Sequence, residues 1–195
     1  MRIGKIARSS NHIDYVCQVY QAGEVAEAPQ PADHPFGAFV RLATGPREAI
    51  VGLIYNTELV NPEFGSLGPR LSPAQDLAVF SPDYLNEKMT LVGIVAIGTW
   101  GADGQARHGV PLQTALIDTP VESMADAEVL AFHADGRGGV RIGYVPLLIA
   151  HGSPLARHLL FNVIERLQAL CPQARPQLEV LKVSVGWRAA VEPLG

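Results

Sequence analysis

The stretch GAFVRLATGPREAIVGLIY (residues 37–55) decides the fold. Two runs rich in Val, Ile, Leu and Phe flank the segment ATGPRE (residues 43–48), whose Gly-Pro pair is typical of a tight turn. Strands joined by so short a connection pair with each other, because a tight turn reverses the direction of the chain. The sequence therefore predicts an antiparallel hairpin, a unit from which small barrels and sandwiches are built.

Three further segments have the composition of strands: RIGKIA (residues 2–7), IDYVCQVY (13–20) and LVGIVAIGTW (91–100). In the second segment apolar and polar residues alternate, which indicates a strand with one solvent-exposed face. Its apolar face holds Ile13, Tyr15, Cys17 and Val19, and its polar face holds Asp14 and Gln18.

The segment LVGIVAIG (residues 91–98) is apolar throughout, which favours a strand that is covered on both sides. Gly52 and Gly93 lie inside strand patterns, where glycine often marks a bulge or the bend that closes a barrel. Together these segments predict a small closed or partly closed β-barrel in the N-terminal half.

The hydrophobic pattern becomes helical after residue 120. ESMADAEVLAFHADG (residues 122–136) predicts a short helix with Ser123 as its N-cap. His133 would end this helix, where a partly cationic imidazole interacts favourably with the negative end of the helix dipole. GSPLARHLLFNVIERLQALCP (152–172) predicts a longer helix that Ser153 caps. Its apolar stripe consists of Leu155, Leu159, Leu160, Val163, Leu167 and Leu170.

A third helix over residues 177–193 is a weaker prediction, because the segment contains several valines and Gly186. The predicted fold class is therefore α+β. A barrel over residues 1–115, with a long wrapping loop at 61–88, is followed by a helical region over residues 120–195.

Composition narrows the class of function. The chain has 195 residues, 48% hydrophobic and 17% charged, and a formal net charge of −4, which argues against a surface that neutralises many phosphates. Cys17 and Cys171 form no metal-binding spacing and are expected to be reduced, buried thiols. No signal peptide or membrane-spanning run is visible, so we expect a soluble cytoplasmic protein.

Known catalytic motifs are missing from the sequence. It contains no phosphate loop, no GxGxxG after a strand, no GxSxG and no HExxH, so no ATPase, cofactor or metal site is predicted. His108, in a glycine-rich loop, is the most plausible functional histidine, with Asp83 and Asp103 as acidic candidates. A structural role for His108 is the preferred interpretation, because loops often hold histidines without a function.

The loop over residues 61–88 has two interpretations. Its apolar residues could anchor it over a sheet edge, which is the preferred one. Alternatively it could face a partner, since aromatic residues and arginine are common interface anchors. The residues of that predicted interface are Phe64, Leu67, Arg70, Tyr84 and Lys88.

The N-terminal half resembles the HAS-barrel, the small β-barrel of HerA-type DNA-translocating ATPases and of rotary ATP synthase subunits. The resemblance covers about residues 1–58, and an extension to residue 100 is a further expectation. It lies in RIGKIARSSNHIDYVCQVY (residues 2–20) and FGAFVRLATGPREAIVGLIYNTEL (36–59), and its matching positions are Gly4, Ile6, Gly37, Phe39, Val40, Val51, Gly52 and Ile54. In that family the barrel precedes an ATPase core, forms ring contacts and helps to receive the nuclease NurA. The ATPase core is missing here, so the resemblance implies a stand-alone assembly module.

Three hypotheses about function follow. The first is a non-enzymatic assembly or adaptor protein that accompanies a HerA-like ATPase or a NurA-like nuclease in DNA processing, with homo-oligomerisation as a further expectation. The second is a hydrolase-type enzyme with its site around residues 99–111. The third is a weak single-strand nucleic-acid-binding barrel that stacks bases on Tyr15, Tyr20 and Tyr55.

Overall fold

The computed structural model describes residues 1–61 and 88–191, and side chains within these ranges as far as residue 186. The strands are β1 (Arg2–Ser9), β2 (Asp14–Val19), β3 (Phe39–Ala43), β4 (Ala49–Val60), β5 (Met89–Trp100), β6 (Ala106–His108) and β7 (Pro120–Ser123). Within the described residues, the α-helices are α1 (Asp126–His133), α2 (Val145–Ala150), α3 (Ala156–Leu170) and α4 (Arg175–Val191). Short 3-10 turns occupy Pro31–Asp33 and Pro172–Ala174.

Six antiparallel strands close into a barrel in the order β1-β7-β3-β4-β5-β2, and β2 pairs again with β1. The short strand β6 is added to the C-terminal end of β5. The predicted hairpin is confirmed, because β3 and β4 pair antiparallel with Val40 opposite Gly52. The α+β fold class is confirmed as well.

Glycines allow the longest pair of strands to bend. The register between β4 and β5 shifts between Val51 and Gly52 and again between Ile54 and Asn56, which lies opposite Gly93. A Cβ atom on Gly52 would lie 2.5 Å from the Ile94 side chain, so a larger residue does not fit there. The predicted bends at both glycines are thus confirmed, and such shifts let a small sheet close on itself.

Two apolar layers share the central strands. Along β5, Ile94 and Ala96 point into the barrel, whereas Val95 and Ile97 point outward into a second core that the helices cover. This two-sided burial, predicted from the continuous apolar run, is confirmed. The barrel interior is filled by residues such as Tyr15, and burial raises the pKa of the Cys17 thiol to about 12. Both cysteines are free and buried, as predicted.

The strand β7 lies outside the sequence predictions. It pairs with both β1 and β3, and so completes the barrel from within the region predicted to be helical. Ser123, predicted as a helix N-cap, is the last residue of this strand, and its N–H donates to the Met1 carbonyl at 2.9 Å. The helix α1 begins at Asp126 instead, where the Glu128 carboxylate accepts the Ala125 N–H at 2.8 Å.

The longer helices agree with their predictions apart from one boundary. α3 begins at Ala156 rather than at Pro154, because Ser153 starts a separate turn in which its carbonyl accepts the Ala156 N–H at 3.0 Å. The predicted stripe packs on the outer face of the barrel through Leu159, Leu160, Val163 and Leu167, and Ile164 joins it. Leu155, predicted as part of the stripe, precedes the helix and is exposed. The weaker prediction of a last helix is confirmed, and Gly186 lies inside it.

Candidate functional site

Most residues of the predicted interface lie outside the described residues, namely Phe64, Leu67, Arg70 and Tyr84, and so does Asp83. Lys88 is described and directly precedes β5. Its carbonyl accepts a hydrogen bond from Gln21 Nε2 at 2.5 Å, and it lines a cleft of about 760 Å³. The interface at residues 61–88 therefore stays a prediction.

Both ring nitrogens of His108 are bonded to backbone groups. Nε2 donates to the Phe132 carbonyl at 3.0 Å, and Nδ1 accepts the Gly143 N–H at 3.0 Å. Burial lowers the pKa of His108, which favours the neutral ring that this pattern requires. The imidazole thus joins β6 to α1 and to the segment before α2, and neither nitrogen is available for proton transfer.

A second histidine completes what we call the histidine cluster, formed by His108, Phe132, His133 and Tyr144 with ring centroids 4.5–5.7 Å apart. His133 is fully buried, donates from Nδ1 to the Val129 carbonyl at 2.7 Å and accepts the Tyr144 hydroxyl at Nε2, at 2.8 Å. Burial lowers the pKa of His133 to about 4. The predicted partly cationic imidazole at the helix end is wrong, because this ring is buried and neutral.

Asp103 does not join His108. It is exposed and forms an ion pair with Arg107, and its Oδ1 accepts the Gln105 N–H at 3.0 Å. The hydrogen bond from Arg107 is the main cause that lowers the pKa of Asp103. A cleft of about 250 Å³ lies beside this segment, but its histidine and arginine are already paired. The described residues around 99–111 therefore assemble no base and nucleophile.

The loop between β6 and β7 displays apolar side chains that sequence reasoning missed. We call residues 109–118 the β6–β7 loop. Four of its aliphatic side chains are exposed: Val110 (59%), Leu112 (96%), Leu116 (76%) and Ile117 (60%). A signal was present in the sequence, since GVPLQTALID alternates turn residues with large aliphatic ones.

The backbone of the β6–β7 loop is held against the end of the barrel. His12 Nε2 donates to the Pro111 carbonyl at 2.7 Å, and the Ala115 N–H donates to the Tyr15 hydroxyl at 3.2 Å. The Asp118 N–H donates to the Ile6 carbonyl at 2.8 Å. The loop therefore has a fixed backbone and an outward apolar surface. Tyr15 itself is 1% exposed, so the predicted stacking of bases on this ring is wrong.

A different site brings together two residues that are far apart in sequence. His151, which ends α2, donates from Nε2 to Asp14 Oδ1 on β2 at 2.6 Å. Asn11 Nδ2 donates to the other oxygen of Asp14 at 2.6 Å. Tyr55 packs its ring edge-on against His151 at 4.9 Å between centroids. Burial, followed by the charge of Asp14 and a hydrogen bond to it, raises the pKa of Tyr55.

We call this site the Asp14–His151 cleft. It has a volume of about 350 Å³ and is lined by Asp14, Tyr55, Asn56, His151, Gly152, Ser153, Pro154 and Leu155. His151 Nδ1 has no hydrogen bond to a described residue. Since no buried side-chain nitrogen or oxygen in the described part of the chain lacks a partner, this nitrogen reaches solvent.

Within residues 1–61 and 88–191, no group of three or more His, Cys, Asp or Glu side chains is placed to hold a metal ion. In the same ranges, no helix has both the length and the apolar character that crossing a membrane requires.

Comparisons with known proteins add one finding. No curated protein matches the chain. A family model does match, over residues 1–193, and its description is Domain of unknown function (DUF8166). Because the match spans nearly the whole sequence, the chain belongs to this DUF8166 family.

Proposed function

We propose that this protein is an assembly or adaptor module whose β6–β7 loop binds a protein partner. The observation that carries the proposal is the combination of a fixed backbone with exposed aliphatic side chains, of which Leu112 is 96% exposed. Exposing large aliphatic groups to water is unfavourable, so several of them on one loop are typical of an interaction surface. A backbone that is already ordered reduces the entropy lost on binding.

The arrangement of the predicted catalytic residues also favours an assembly role over the enzyme around residues 99–111. That enzyme requires His108 as a base, and both of its nitrogens are bonded to backbone groups. Asp103 is paired with Arg107 and exchanges no hydrogen bond with the histidine. An adaptor requires no proton transfer at this position.

The proposed partner is a HerA-like ATPase, with a NurA-like nuclease as the alternative. This choice rests on the resemblance of the first 58 residues to the HAS-barrel, a domain that contacts neighbouring subunits through its barrel. The closed antiparallel barrel agrees with the fold that the resemblance implies. Recruitment through the barrel end would place the aliphatic side chains of the β6–β7 loop in the contact.

Affinity purification of the tagged protein from its own cells, followed by mass spectrometry, tests this function. We expect the wild-type protein to retain an ATPase or nuclease of this kind, and the double variant Leu112→Ser with Leu116→Ser to lose it. The matched control is Val180→Ser with Val183→Ser, because these valines are similarly exposed but lie on α4. Purification of the wild-type protein without any partner would contradict the proposal, and so would equal recovery by the loop variant.

A further inference from the structure

The Asp14–His151 cleft has the geometry of a proton-transfer site. The Asp14 carboxylate can only accept hydrogen bonds, so the neutral form of His151 carries its proton on Nε2 and its lone pair on Nδ1. Asn11 fixes the carboxylate from the other side, and its own Oδ1 accepts the backbone N–H groups of Ile13 and Asp14 at 2.9 and 3.0 Å. In catalytic triads a carboxylate holds the tautomer and orientation of the imidazole in the same manner.

A purely structural role would explain the pair if His151 resembled His108 and His133. It differs from them in one respect. His108 and His133 each bond through both ring nitrogens, whereas His151 bonds through one and exposes the other. The exposed nitrogen belongs to a side chain that is only 9% exposed and that lines a cleft. A general base requires an imidazole in a fixed orientation whose lone pair is accessible.

The lining of the cleft limits the substrate. Its volume of about 350 Å³ is near the lower end for small-molecule sites. None of the described residues that line it is a Lys or Arg, so this lining favours a neutral substrate over an anionic one. Pro154, Leu155 and the Tyr55 ring offer apolar contacts. The Ser153 hydroxyl and the Asn56 amide are donors that can stabilise a developing oxyanion.

We propose that the Asp14–His151 cleft hydrolyses small, neutral carboxylic esters, with His151 as the general base. His151 Nδ1 removes a proton from water while the water oxygen attacks the carbonyl carbon, and the π-electron pair moves to the carbonyl oxygen. When the tetrahedral intermediate collapses, the bond to the alkoxy oxygen breaks and the proton on Nδ1 passes to that oxygen. The products are the carboxylic acid and the alcohol, and Asp14 acts as a positioning residue.

Water, rather than Ser153, is the nucleophile in this proposal. A serine nucleophile is normally hydrogen-bonded to its base. Ser153 Oγ instead accepts the Leu155 N–H at 3.2 Å, and no hydrogen bond joins it to His151. This activity goes beyond the proposed assembly role and does not depend on it, since the β6–β7 loop lines no part of the cleft.

Hydrolysis of p-nitrophenyl acetate by the full-length protein tests the proposal. We expect saturation with substrate and a fall in kcat of about 100-fold for His151→Gln, the effect of losing a general base. Asp14→Asn should lower kcat at least tenfold with little change in KM, because the amide can also stabilise the wrong tautomer. The matched control is His158→Gln, an exposed histidine on α3, which should stay within twofold of wild type.

Thermal unfolding of each variant accompanies the kinetics, so that a misfolded variant is recognised. If His151→Gln does not fold, the Asp14→Asn variant still tests the proposal. Asparagine keeps an oxygen that accepts the hydrogen bond from His151 Nε2, so we expect this variant to fold. The proposal would be overturned if the rate of hydrolysis by the wild-type protein rose linearly with substrate concentration and the His151→Gln variant had the same rate. Unchanged kcat in a folded Asp14→Asn variant would also overturn it, because the pair would then be only a tie between β2 and α2.

Discussion

The histidine cluster and the Asp14–His151 cleft both place imidazoles between the barrel and the helices, and they differ in how the ring nitrogens are used. In the cluster, His108 and His133 bond to carbonyl, amide and hydroxyl groups through both nitrogens. In the cleft, His151 bonds only to Asp14. A histidine with two protein partners is part of the packing, whereas one with a free nitrogen retains its chemistry.

The largest expected effect tests the packing role of His133. We expect His133→Ala to lower the free energy of unfolding by about 4 kcal/mol, because it removes a buried ring and leaves the Tyr144 hydroxyl without a partner. Urea denaturation at pH 7 measures the change. The control is His158→Ala on the exposed side of α3, with an expected change below about 0.5 kcal/mol. Similar losses in the two variants would contradict the assignment.

The His133 ring should also make the stability of the protein depend on pH. Its folded-state pKa of about 4 lies below the ordinary value of 6.5, so the unfolded chain takes up the proton first as the pH falls. The stabilisation is complete above about pH 6.5 and is lost as the pH falls towards 4. The loss amounts to about 3 kcal/mol for this shift. The lowered pKa of His108 acts in the same direction.

Urea denaturation at pH 7, 5.5 and 4, at constant ionic strength, measures this loss. The variant His133→Gln cannot titrate, so its stability should fall much less over the same interval. Parallel pH profiles for the two proteins would show that the His133 ring takes up its proton at the same pH in the folded and unfolded states, and the lowered pKa would be wrong.

Local sequence patterns account for the barrel but not for the sites. Residues close together in the sequence indicate the hairpin at 37–55 and the bends at Gly52 and Gly93, and the structure contains these features. β7 has four residues, too few for a periodic signal, although it closes the barrel. The hydrogen bond from His151 to Asp14 spans 137 positions, and no local spacing indicates such a contact.

The histidines show why a residue type alone does not indicate its role. His108 lies next to glycines, as active-site loops often do, yet its ring stacks on Phe132 at 4.5 Å and bonds to backbone on both sides. His151 follows an apolar run and precedes Gly152, which suggests only a helix end. The burial and partners of a side chain depend on the tertiary fold.

An intermediate effect is expected for His108→Ala. The variant loses two hydrogen bonds to backbone and the contact with Phe132, but the side chain is only half-buried, so water can reach part of the vacated space. We expect the free energy of unfolding to fall by about 2 kcal/mol. Urea denaturation measures this loss, and a change below about 0.5 kcal/mol would show that His108 does not contribute to the packing.

The smallest effect should come from the cleft, where His151→Gln is matched with His133→Gln. The glutamine amide can still donate to Asp14, and the nitrogen that disappears at residue 151 has no protein partner to leave unpaired. We therefore expect His151→Gln to lower the free energy of unfolding by less than about 1 kcal/mol. At residue 133 the same change must replace a fully buried ring with two fixed partners, so its loss should be clearly larger. Equal losses in urea denaturation would mean that both histidines serve the packing, and a free ring nitrogen would then not distinguish a chemical site from a structural one.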